Sequence, residues 1–144
     1  MTRELLRPTG ITALIIFFLV GTLISFLAGL SLLFPSALFE AMWRVNPHGH
    51  EGLLRIGFWG VGLLFAASAS CAAAAVGLWC RTRWGHMLAI TLIAVNLLSD
   101  LINTVLGIEP RAIVGVPIAL AILLYLLTRR VRNYFTQHPN NRVE

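Results

Sequence analysis

Lysine is absent from this chain, and its 144 residues carry only six acidic side chains against eleven arginines. Charged residues make up 12% and hydrophobic ones 58%, with a mean hydropathy of +0.81, which excludes an ordinary water-soluble core. Cysteine is nearly absent too. Cys71 and Cys80 fall on one expected helix, about 13 Å of rise and half a turn apart, so neither a disulfide between them nor a C-x-x-C redox pair is available. Catalytic sets are missing: there is no Ser, His and Asp at one level, no glycine-rich phosphate loop and no paired carboxylates. His48, His50 and His138 lie outside the long apolar runs and His86 at the edge of one, which excludes haem held between membrane helices. No cofactor is expected, and the balance is against an enzyme.

What the chain does have is four long apolar stretches, 11–34, 53–79, 86–106 and 112–128. Each is near or above the roughly 20 residues that cross a bilayer as a helix. The expected fold is all-α, a single membrane domain forming an antiparallel up-down four-helix bundle, with a basic tail over 129–144. The first stretch is too long for the apolar part of a cleaved leader, so it is expected to stay as an anchor.

Arginine sets the expected orientation. Arg3 and Arg7 precede the first stretch, Arg81 and Arg83 lie between the second and third, and Arg129, Arg130, Arg132 and Arg142 follow the fourth. On the other side Arg44, Arg55 and Arg111 are offset by Glu40, Glu51 and Glu109. Both termini are therefore expected in the cytoplasm of a multi-pass protein. Trp79 and Trp84 fit the inner interface, Trp43 and Trp59 the outer one. The arginines flank apolar helices and are not interleaved with aromatic residues, so the expected partner at the cytoplasmic face is anionic lipid headgroups, not nucleic acid.

Small residues should bring the helices together: Gly21, Ser25 and Gly29 on the first, Gly62, Ala66, Ser70, Ala74 and Gly77 on the second, Gly115 and Ala119 on the fourth. Such stripes suit a compact bundle, a membrane-protein partner or a homo-oligomer alike. Pro117 should bend the fourth helix. In the longest connection, residues 36–45 read as an interfacial helix, with Leu38, Phe39, Met42 and Trp43 on one face and Ser36, Glu40 and Arg44 on the other. Asn46-Pro47 and Gly49 should end it. His48, His50 and Glu51 then fall in an expected turn, where Glu40 could join them as metal ligands; a solvated turn is the commoner outcome.

The third stretch holds the one acidic residue inside any of the four. Asn96, Asp100, Asn103 and Gly107 follow at steps of four, three and four, which puts them on one helix face, with Ala89 below and Ser99 beside them. In hydrocarbon this polar stripe must face protein or water. Either the asparagines are interhelical hydrogen-bond glue and an arginine holds Asp100, or Asp100 is a protonatable group in a transport path. Matching depths along neighbouring helices, about 3 Å for Arg55 and 9 Å for Asp100, selects Arg55 as the expected partner and Arg111 as the second choice.

Arg83-Trp84-Gly85, Leu88-Ala89-Ile90, the run from Asn96 to Asn103, Gly115-Val116-Pro117-Ile118 and Arg132-Asn133-Tyr134-Phe135 together resemble small uncharacterised bacterial four-helix membrane proteins. The resemblance covers about the last sixty residues and implies a fold and a bacterial inner membrane, not an activity. Abundant Ala, Gly and Arg without Lys agree with a bacterial source of high GC content. The expected function is a non-enzymatic accessory or scaffold subunit; the alternative is a small proton- or ion-coupled transporter or channel subunit using the Asn96, Asp100 and Asn103 stripe.

Overall fold

A computed structural model describes residues 9–34, 36–107 and 112–136. Every regular element among them is an α-helix: α1 (Thr9–Leu33), α2 (Ala37–Trp43), α3 (Pro47–Arg55), α4 (Phe58–Trp79), α5 (Arg83–Val105), α6 (Ala112–Leu127) and α7 (Arg129–Thr136). Helices α1, α4 and α5 are long and apolar enough to cross a membrane, and α6 with α7 adds a fourth if that bent pair counts as one. Arg3, Arg7, Glu109, Arg111, His138 and Arg142 lie outside the described residues. The chain divides into two compact units, one of Phe17–Ala73 and one of Met1–Ile16 with Ala74–Glu144.

In the first of these units α1 and α4 meet through small residues. A side chain on Gly21 would reach Cys71 Sγ at 3.6 Å, and one on Gly29 would press on the Phe65 ring at 3.3 Å. Ser68 donates to the Thr22 carbonyl at 3.0 Å, and Phe26 meets Phe65 edge to face. Rising residue numbers on α1 thus pair with falling ones on α4. The expected stripe on α4 is only partly right: Gly62 and Ala66 are exposed, whereas Val61 and Ser68 are buried.

The connection between α1 and α4 departs from expectation more strongly. α2 forms within the expected 36–45, with Glu40 and Arg44 exposed and Phe39, Met42 and Trp43 half-buried; the Leu38 side chain is outside the described ones. Trp43 Nε1 donates at 2.9 Å to Ser31 Oγ, which itself donates to the Ala28 carbonyl at 2.7 Å, so α2 is tied to the end of α1. Asn46-Pro47 does not end a helix but starts one. Asn46 Oδ1 accepts from the Gly49 amide at 2.8 Å, and Pro47 takes the first position, where no amide hydrogen is needed. α3 then runs to Arg55 and is stopped by Gly57 at φ +57, a left-handed helix end that a residue with a Cβ rarely adopts. The apolar helix expected over 53–79 therefore begins at Phe58.

In the other unit α5 packs on α6, with α7 against both. The turn from α4 into α5 is tight. Gly77 and Gly85 touch backbone to backbone, leaving no room for a Cβ on either. Thr82 Oγ1 donates to the Gly77 carbonyl at 3.0 Å and accepts from the Gly85 amide at 3.2 Å, capping α5. Arg81 closes the turn at φ 57. Pro117 does not interrupt α6; the marked bend, 52°, separates α6 from α7. Residues 129–136, expected as part of a basic tail, form a helix whose Val131, Tyr134 and Phe135 are buried.

Candidate functional site

The polar stripe belongs to a longer helix face. The buried residues of α5 are Gly85, His86, Ala89 and Ile93, and steps of three and four carry that row on to Asn96, Asp100 and Asn103, whereas Gly107, expected on the same face, lies beyond the end of α5 at φ 66. These seven helical residues fall within a sector of about 100°. Coverage changes along it: everything named up to Ile93 is buried, then Asn96 is exposed and Asp100 and Asn103 are half-buried. Only 11% of the most apolar window of α5 is buried, against 28% in α1 and 33% in α4, although α5 has the lowest mean hydropathy of the three.

Asp100 sits on the seam with α6. Its Oδ2 lies where a Cβ on Gly115 would be, so that glycine is the notch that admits the carboxylate. Asn96 Nδ2 donates to Asp100 Oδ2 at 3.2 Å, one helical turn away. Among the described residues Asn103 makes no hydrogen bond to Asp100, and Thr104 Oγ1 donates at 2.7 Å to the Asp100 carbonyl, not to its carboxylate. The structure thus brings Asn96, Asp100 and Gly115 together.

Arg55 falls in the other unit, in the last turn of α3 and outside α4, so the depth count that pointed it at Asp100 loses its premise. Arg111 lies outside the described residues. The His48, His50 and Glu51 group is corrected by the same helix. Because α3 begins at Pro47, His48 and His50 are two residues apart on a helix, about 200° around the axis, and cannot converge. His50 instead stacks on Trp43 with ring centroids 4.4 Å apart, while His48 and Glu51 are exposed. Among the described residues no three His, Cys, Asp or Glu side chains gather as metal ligands. An open depression of 330 Å³ lined by Glu40, Trp43, Arg44, Pro47, His50 and Glu51 lies between α2 and α3.

A second cluster, at the start of α5, is not marked by composition. His86, with 6% exposure, has Nε2 3.0 Å from the Leu126 carbonyl, and its ring stacks on Phe135 with centroids 4.8 Å apart. The Leu126 carbonyl lies at the bend, where α6 stops supplying helical donors, so an Nε2–H donor there satisfies a buried acceptor. Arg81 lies over the Tyr134 ring at 4.0 Å from its centroid, and Tyr134 meets Phe135 edge to face. The hint in the sequence was the three-four spacing of Val131, Tyr134 and Phe135, masked by the arginines between them.

Comparison with protein-family models, with curated proteins and with solved structures gives no match. The reading of the site rests on its geometry.

Proposed function

We propose that the protein is a non-enzymatic, multi-pass protein of a bacterial inner membrane, an accessory or scaffold subunit that joins a larger membrane assembly through the polar half of α5. In this reading α1, α4, α5 and α6 cross the bilayer as an antiparallel up-down bundle, α2 and α3 lie at the outer surface and both termini are cytoplasmic. The arginine distribution supports the orientation. The observation that carries the function is the exposure of Asn96 midway along a helix of crossing length. An uncovered carboxylate in hydrocarbon costs on the order of 2.5–3.5 kcal/mol on insertion scales, and interhelical hydrogen bonds return about 0.6–2 kcal/mol each, so the least covered helix should not also be the most polar one unless another helix lies over it. In this reading that helix is supplied by a partner or a second copy, which an intact-mass measurement decides. Mild-detergent extraction from the native host followed by intact-mass measurement tests this: the wild-type chain should emerge in a species heavier than its own 15.8 kDa, and Asn96→Leu should release it as a single chain. Single chains in both cases would contradict the reading.

One observation favours the alternative of a proton- or ion-coupled transporter: among the described residues of its unit no cation pairs with Asp100, whose carboxylate accepts from Asn96 alone. Proton uptake into vesicles holding the purified protein, lost in Asp100→Asn, would support it; no uptake by wild type would remove it.

A further inference from the structure

We propose that α7 is a fixed arginine platform that binds the phosphate of anionic lipid headgroups, an inference that rests on the membrane placement above. An amphipathic helix at a membrane surface ordinarily turns its apolar face into the lipid. The apolar face of α7 is already taken. Val131, Tyr134 and Phe135 are 1%, 7% and 3% exposed, held by the His86 stack and the Arg81 contact. What α7 presents outward is its other side, with Arg129 opposite the buried row and Arg130 and Arg132 on its two flanks, all exposed. Arg81 extends the set beside Tyr134, and Arg83 opens α5 next to it; both are exposed.

No carboxylate occurs in residues 79–93 or 123–136, so within these two segments the five guanidinium groups have no counter-charge. Trp79 and Trp84, 61% and 54% exposed, flank the same end, where indole rings suit the headgroup level. A guanidinium matches a phosphate through paired N–H donors, and holding the helix by its buried face removes much of the ordering cost of presenting several at once. The occupant that fits is the phosphodiester of an anionic lipid lying beside the helix ends.

The test places the full chain in nanodiscs of phosphatidylcholine mixed with phosphatidylglycerol and measures by native mass spectrometry which lipid stays bound on release. Phosphatidylglycerol should be retained preferentially, and raising the salt should weaken the preference. In Arg129→Gln/Arg130→Gln/Arg132→Gln the preference should fall towards parity, by up to about a hundredfold at roughly fivefold per arginine. The matching Lys variant should keep most of it. A wild-type chain that retains both lipids equally, a preference indifferent to salt, or a Gln variant with wild-type preference and unchanged thermal transition would overturn the proposal. So would displacement of the bound lipid by inorganic phosphate, which would assign the arginines to a soluble anion. A chain that does not enter nanodiscs at all would contradict the membrane placement itself, a result distinct from lost lipid preference.

Discussion

The two halves of α5 share one face and differ in what covers it. From Gly85 to Ile93 the face is closed by the chain itself: Gly85 lies on Gly77, His86 on Leu126 and Phe135, and Ala89 and Ile93 are buried. From Asn96 onward the same face carries the polar side chains and is open or half-open. The closed half needs only backbone fit and one satisfied imidazole. The open half holds groups whose hydrogen-bonding capacity the described contacts leave largely unused, with one amide-to-carboxylate bond inside the stripe. In the proposed reading such a helix is anchored at one end and offers the other for association.

The comparison predicts a gradient of mutational cost along the face. The largest effect is at the closed end, where a Cβ on Gly85 would collide with the Gly77 backbone: Gly85→Ala should cost about 3 kcal/mol or more in thermal unfolding in detergent. Gly62→Ala is the control. Nothing lies within 4 Å of the added methyl there, and replacing a helical glycine should be neutral or stabilise by up to about 1 kcal/mol. Next, His86→Leu strands the buried Leu126 carbonyl and should cost about 2 kcal/mol, read from the same transition. Smallest is Gly115→Ala on the open half, where Asp100 can swing outward at a cost of about 1 kcal/mol. A Gly115→Ala variant as damaging as Gly85→Ala would mean that the polar half is locked as tightly as the other and would erase the contrast.

Much of this was legible in the residue pattern. The apolar helices, the amphipathic α2 and the common face of Asn96, Asp100 and Asn103 follow from period and run length, which depend on local geometry. The break at Gly57 was not, because Leu53, Leu54 and Ile56 carry high hydropathy straight through it while a single left-handed glycine changes the chain direction. Asn46-Pro47 was ambiguous, since an asparagine before a proline serves a helix start as well as a stop, and only the bond to the Gly49 amide decides. α7 was hidden by charge: three arginines in four residues read as a tail, although Val131, Tyr134 and Phe135 keep helical spacing. His86 could not be found from sequence. Its partners lie 40 and 49 positions away, and their meeting depends on the bend after α6.

The central claim, that the open half of α5 is covered by another protein helix in the membrane, is tested most directly by photocrosslinking in intact native membranes. A photoreactive side chain at position 96 is compared with one at position 98, where exposed Leu98 points the opposite way around the helix. A protein adduct of discrete mass at position 96 and lipid adducts alone at position 98 is the predicted result. Lipid adducts alone at both positions would contradict it.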